Sequence, residues 1–419
     1  MARYSEEKAL MKKGTQKLST REEKAKSSRK AARLERIPYK SARSDKSKYF
    51  TKTKQLKELG KCEIAELEKV TDKFAFRAND YYLSLIDWAD PADPIRRIIV
   101  PDLQELDEWG RLDPSDEKTY TVIPGLEHKY NSTALFLVSN VCEGICRYCF
   151  RKRAFINTQS ACLKDVSAAV DYVRDHEEIT NVLLTGGDPL ALTTPKLRNI
   201  IRRLRTVDHV EIIRIGTKMP AFNPYRILDD PALLEMIETY STRQKKIYIM
   251  THFVHPRELT ESAVEGISLL QKAGAMIANQ TPLIRGVNDD PRVLGDLLGK
   301  LSFIGAVPYY IFQCRPALGN RAYTVPIEEG YKLVEYAKAL VSGLAKRVRF
   351  VMSHSTGKIE IVGMTKGRVY FNYHQAADDA DSGRFFVMRR NPNAYWLDDY
   401  NEVIREYAIS LPCRAYGPD

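Results

Sequence analysis

Three cysteines crowd one short segment, Asn140-Val-Cys142-Glu-Gly-Ile-Cys146-Arg-Tyr-Cys149, with three and then two residues between them. Three thiolates on one loop can hold three irons of a cubane cluster and leave the fourth open, whereas a closed electron-transfer cluster takes four cysteines. An open iron can chelate a small molecule and pass it an electron. Structural zinc would need a fourth ligand, and no His follows the loop at finger-like distance. Two further segments carry chemical promise. Gly186-Gly187-Asp188-Pro189 is a tight turn in which glycines permit close backbone approach to a ligand. Ser353-His-Ser-Thr-Gly-Lys358 places a lysine after the apolar run VRFVM, where desolvation would depress its pKa and favour the nucleophilic amine.

These residues need elements to hold them. From residue 134 onward, short apolar runs at Ala134–Ser139, Val182–Thr185, Val210–Gly216, Ile247–Thr251, Ile277–Leu283 and Val307–Phe312 read as buried strands. Helical spacing fills the gaps at Asp165–Val173, Thr194–Leu204, Pro231–Thr239, Thr260–Ala273, Arg292–Leu301 and Ile327–Ser342. Strict alternation without a dinucleotide glycine fingerprint predicts an α/β fold, a partial (β/α)6-type TIM barrel. The cysteines follow the first run, Gly186–Asp188 the second, Lys218 the third, His252 the fourth and Arg315 the sixth. Chemistry in such folds gathers at these carboxyl ends.

Charge divides the chain. Residues 1–61 hold 20 Lys and Arg against 7 Asp and Glu, more than the whole net charge of +11, so the remainder is nearly neutral. The expected organisation is a basic, partly disordered arm over residues 1–60, a collar over 61–133 with a short helix from Cys62 to Lys73, the barrel over 134–360, and a C-terminal extension over 361–419. The arm is read as solvated rather than as a nucleic-acid site, since it lacks a binding motif. No apolar stretch approaches membrane-spanning length and the amino terminus has no secretory h-region, so a cytoplasmic protein is expected.

The cysteine loop, with Tyr148 before its last cysteine, resembles the signature of the radical S-adenosylmethionine superfamily. Longer strings are similar to one family within it, the lysine 2,3-aminomutases: Pro124-Gly-Leu-Glu-His-Lys-Tyr130, Arg151-Lys-Arg153, Leu184-Thr-Gly-Gly-Asp-Pro-Leu190, Ile213-Arg-Ile-Gly-Thr-Lys-Met-Pro220, Thr251-His-Phe-Val-His-Pro256, Asn279 to Asp289 and Tyr309-Tyr-Ile-Phe-Gln-Cys314. The resemblance implies a radical enzyme moving the α-amino group of an amino acid to the β-carbon, with a [4Fe–4S] cluster on Cys142, Cys146 and Cys149, S-adenosylmethionine, and pyridoxal 5'-phosphate on Lys358. It also implies that Gly186, Gly187, Asp188, His252 and Gln280 face S-adenosylmethionine, that Lys129 and Tyr130 meet the pyridoxal phosphate, and that Arg151 clamps the substrate carboxylate. An electron donor such as flavodoxin or ferredoxin and a homo-oligomer are implied partners.

The sequence departs from the family in three places. Thr133 and Lys218 stand where the phosphate cradle would have arginines. Lysine-specific members hold the distal ammonium with two aspartates, but Arg315 occupies the first position and apolar Val351-Met352 lies near the second. Arg315 beside a lysine ammonium would be repulsive, so the expected substrate is acidic or neutral, glutamate first, unless Asp289 or Glu328 neutralises the guanidinium. The cysteine cluster that binds zinc between subunits in some members is absent. Two other readings compete: a radical enzyme without pyridoxal phosphate acting on a macromolecule, and a non-catalytic iron–sulfur protein binding RNA, which leaves Arg151 and Lys358 unexplained.

Overall fold

The parallel-sheet prediction follows from apolar runs buried on both faces, and such a sheet forms. The computed structural model describes residues 47–155 and 162–407; most of the basic arm, and Cys413, lie outside the described residues. A two-stranded ladder, β1 (Tyr49–Phe50) and β2 (Ala78–Asn79), precedes the main sheet. The sheet then runs in chain order through β3 (Thr121–Ile123), β4 (Leu126–Tyr130), β5 (Thr133–Ser139), β6 (Asn181–Gly186), β7 (Ile212–Thr217), β8 (Lys246–Thr251), β9 (Met276–Leu283), β10 (Val307–Gln313), β11 (Arg349–His354), β12 (Gly357–Met364), β13 (Arg368–Ala376), β14 (Phe385–Arg389) and β15 (Val403–Tyr407). Its edges, β3 and β15, do not pair with each other, so the sheet is an open, partial barrel.

Strands β5 to β11 are mutually parallel, and the flanking strands are antiparallel. All six expected strands are present. A seventh parallel strand, β11, was not expected: its apolar run turns at once into the β12 hairpin, with no helix after it to extend the β/α alternation. Helices cross between the strands at Val166–Arg174, Thr194–Leu204, Pro231–Tyr240, Glu261–Lys272, Pro291–Phe303 and Ile327–Ala339. Their starts are dictated locally. Asp165, Asp230, Thr260 and Asp290 accept backbone N–H groups at the first turn, and Pro231 and Pro291 occupy the first helical position.

Alternation along each strand sorts side chains between two faces. Ala134, Phe136, Val182, Leu184, Ile213, Ile215, Ile247 and Ile249 pack with the helices into the largest core cluster. The opposite face turns Leu135, Thr185, Arg214 and Gln280 inward. The collar helix, Lys61–Thr71, contributes Leu67 to a separate apolar cluster with Ile98, Ile99, Tyr148 and Phe222, which seats it against the cysteine loop. No helix among the described residues is long and apolar enough to cross a membrane.

Candidate active site

The cysteine loop leaves the carboxyl end of β5 and is held from three sides. Arg147, 1% exposed, places two parallel hydrogen bonds of 2.8 Å on the Glu105 carboxylate and a third on Ala75 O. Lys152 Nζ adds a second cation to Glu105 at 3.1 Å. Glu143, inside the loop, accepts from Tyr49 Oη and from Asn223 Nδ2. On the third side the glycine turn closes in: Gly187 N donates to Ser139 O at 2.6 Å and Asp188 N to Val141 O at 2.8 Å. Gly186 has φ +121°, and a Cβ there would lie 2.3 Å from Ser139 O, so only glycine permits this approach.

Burial pushes the Cys142, Cys146 and Cys149 thiols up, Cys146 to about 12, and Asp188 and the other two cysteines add to the shift at Cys142. Sulfurs so placed stay protonated unless a metal displaces the proton. No group of three His, Cys, Asp or Glu among the described residues is gathered tightly enough for a single metal ion. Three thiols on one loop are the donor set of a multi-iron cluster with one open position, each sulfur on a different iron.

Of the other expected S-adenosylmethionine residues, His252 and Asp188 border this loop. His252, just after β8, stacks on Tyr148 with ring centroids 6.0 Å apart, and burial with Lys218 nearby holds it neutral, down to about 3. Gln280 lies on the inward face of β9 opposite Tyr310. Asp188 is 4% exposed and spends its oxygens on Thr217 Oγ1, Lys218 N and Leu190 N. It braces the glycine turn against β7 and offers nothing outward. Lys218 is not in a phosphate cradle: its Nζ pairs with the fully buried Glu258 at 2.6 Å and donates to His252 O.

Across the barrel, Lys358 opens β12 after a hairpin turn. Gly357 has φ +155° and passes so close to Gln375 O that a Cβ would approach to 2.4 Å. Lys358 Nζ donates to Gln375 Oε1 at 2.9 Å and lies 4.2 Å from the Tyr130 ring centroid. Burial first, then Arg214, Lys129 and Arg315, drives its pKa well below the ordinary lysine value. Lys129 grips the hairpin through His354 O at 2.6 Å, and burial with Arg315 lowers it to about 8. Arg214 points inward from the middle of β7, bonded to Asn181 Oδ1 at 2.8 Å. Lys129 and Arg214 flank the neutral Lys358 amine around Tyr130, each depressed by desolvation, and two such basic groups fit an anionic ligand such as a phosphate. Arg214 thus places a guanidinium beside Lys358, which neither Thr133 nor Lys218 does.

Between these ends lies a set of charges. Arg151 Nε donates to Glu117 Oε1 at 2.8 Å and its Nη1 to Thr185 Oγ1 at 3.1 Å. Arg153 pairs with Glu117 Oε2 and Asp113. Arg315 rests 3.8 Å over the Phe150 ring, donates to Ser115 Oγ, and forms no ion pair among the described residues. Burial pulls it down to about 10, with Glu117 opposing and Arg151 reinforcing. Neither Asp289 nor Glu328 neutralises it: Asp289 pairs with Arg285 and Glu328 with Arg390. Val351 and Met352 are fully buried, so no carboxylate replaces the second aspartate there.

The radical SAM superfamily pattern matches residues 136–297. A protein of Aquifex aeolicus (strain VF5) described as “Putative L-lysine 2,3-aminomutase” is 55% identical over 367 residues, covering 87% of this chain and 98% of that one. This chain belongs to the lysine 2,3-aminomutase family. Another member, the L-lysine 2,3-aminomutase of Clostridium subterminale, is 39% identical over 266 residues, 63% of this chain and 62% of that one. The glutamate 2,3-aminomutase of Clostridioides difficile (strain 630) is 35% identical over 301 residues, 71% of this chain and 68% of that one.

Membership makes this aminomutase an isomerase of the radical S-adenosylmethionine kind, acting on a small amino acid with a [4Fe–4S] cluster, S-adenosylmethionine and pyridoxal phosphate. Sequence reasoning missed Glu117, Glu127, Arg153 and Arg214 in its interior. Arg214 carried a signal, a lone arginine inside the strand VEIIRIG. Glu127 carried another, since it shares strand parity with Lys129.

Proposed function

We propose that this aminomutase moves the α-amino group of an acidic amino acid, glutamate first, to the β-carbon. The observation that carries the reading is Arg315: a half-buried guanidinium at the carboxyl end of β10, stacked on Phe150 and lacking an ion-pair partner among the described residues. A distal carboxylate would complete it, whereas a distal ammonium would be repelled in poorly screened surroundings.

When bound, the cluster and S-adenosylmethionine supply a carbon radical that takes a β-hydrogen, and pyridoxal phosphate supplies the conjugated ring that spreads the unpaired electron. The chain's own residues bind and orient. Lys358 presents a neutral amine at Nζ, aimed by Gln375, to hold the cofactor's carbonyl carbon. Lys129, Tyr130 and Arg214 receive its phosphate. Arg151, already held by Glu117 and Thr185, offers its planar fork to the substrate α-carboxylate. A flavodoxin- or ferredoxin-type donor, a homo-oligomeric assembly and a cytoplasmic setting complete the reading.

The test is an anaerobic assay of reconstituted holoenzyme against glutamate, aspartate, glutamine, lysine and arginine, reading β-amino products. Conversion of glutamate at a kcat/KM at least about tenfold above lysine supports the reading; efficient conversion of lysine alone defeats it.

A further inference from the structure

Glu127 stands apart from every other carboxylate in the barrel interior. It sits on β4, two residues before Lys129 and on the same inward face, paired across the ladder with Leu135. It is 7% exposed, and its Oε1 has no hydrogen-bond partner among the described residues. A buried acceptor left unsatisfied is costly, so such a group calls for a ligand or a proton. The charges facing it are Glu117 from the collar, Arg151 and Arg153 from the segment after the cysteine loop, Arg315 from the end of β10, and Lys129 from its own strand.

Counting these charges gives the group a task. Glu117 is committed, one oxygen to Arg151 and the other to Arg153. With Lys129 assigned to the phosphate, three guanidinium groups remain to balance Glu117 and whatever enters. An acidic amino acid brings an α-carboxylate and a distal carboxylate. Together with Glu117, and with Asp113 on Arg153, these anions already outnumber the three cations, leaving no counter-charge for an ionised Glu127. We propose that Glu127 is a specificity residue that takes up one proton from solvent when an acidic substrate binds, donates that proton in a hydrogen bond to a substrate carboxylate, and returns it on product release. The inference rests on the acidic-substrate reading above.

The titration range suits this task. Burial first, and Glu117 second, raise the Glu127 carboxyl to about 7, with Arg151, Arg153 and Arg315 opposing. Above that value the ionised carboxylate must be protonated before an acidic substrate is accommodated, so binding weakens as pH rises. A cationic substrate reverses the sign, because it pairs with the ionised form.

The experiment compares the wild-type holoenzyme with Glu127→Gln, an isosteric change that keeps a donor at the site. Glutamate binding is followed by calorimetry in two buffers of different ionisation enthalpy, and KM and kcat are measured from pH 6 to 9. Pyridoxal absorbance and iron content show that the variant is intact. Above pH 8, wild type should take up about one proton more per glutamate bound than Glu127→Gln does, and its affinity should fall about tenfold per pH unit above about pH 7. Glu127→Gln should lack that extra proton, and its KM should lose the slope that wild type shows above about pH 7. Glutamate turnover with the same slope and proton uptake in both proteins overturns the role of Glu127 alone. Failure of wild type to turn over glutamate, with lysine accepted and binding tighter as pH rises, overturns the substrate reading and this inference with it.

Discussion

Glu105 should matter more than either cation it holds. It is fully buried, and Arg147 and Lys152, 1% and 6% exposed at the side chain, both depend on it. Glu105→Ala strands two buried cations, and removing one partner of a buried pair costs about 3–5 kcal/mol. Arg147→Met strands none, because Glu105 keeps Lys152; the loss is the bidentate contact and the bond to Ala75 O, about 1–3 kcal/mol. Unfolding entropy of about 2.1 cal/mol/K per residue, summed over 419 residues, converts these into roughly 3–6 °C and 1–3 °C of lowered Tm. Anaerobic thermal unfolding, with iron content measured alongside, is the assay. Burial alone would raise the Glu105 carboxyl, but Arg147 and Lys152 win and hold it below its ordinary value. Its stabilisation is therefore complete above the unfolded carboxylate pKa of about 4.3 and is lost as pH falls through the lower folded value. Wild type should lose stability below about pH 4 more steeply than Glu105→Ala. Arg147→Met being as damaging as Glu105→Ala would refute the charge argument.

Replacing Cys142, Cys146 or Cys149 with Ala should abolish cluster formation, read by iron content and electron paramagnetic resonance, whereas exposed Cys62 should tolerate the change. Lys358→Ala should lose the visible absorbance of bound pyridoxal phosphate while leaving the cluster signal intact, since different strands carry the two sites. Gly186→Ala should displace the cysteine loop, because its Cβ would sit 2.3 Å from Ser139 O; at least a several-fold loss of reconstituted iron is expected. Arg315→Asp should raise KM for glutamate by about 30-fold or more, as truncating a buried charge contact costs about 2–5 kcal/mol.

The sequence by itself carried much of what is built within a few consecutive residues, though not the β11–β12 hairpin. Cysteine spacing, the glycine turn, helix caps and the six apolar runs are local, and parallel β/α order then puts their polar ends on one side of the sheet. Lys358 was singled out differently, by the resemblance of the strings around it, since a lysine beside a glycine is by itself a common surface feature. The tertiary structure decided which buried charges meet. Arg147 finds Glu105 across 42 residues, Arg151 finds Glu117 across 34, and Lys218 turns to Glu258 across 40. Strand parity shows that Arg214 and Glu127 point inward, but not which groups face them there. Electrostatic energy depends on separation and burial in space, and neither is encoded in the chain interval between two residues. That is why Arg315 could be singled out from sequence while its surroundings, Phe150, Ser115 and two carboxylates from the collar and β4, could not.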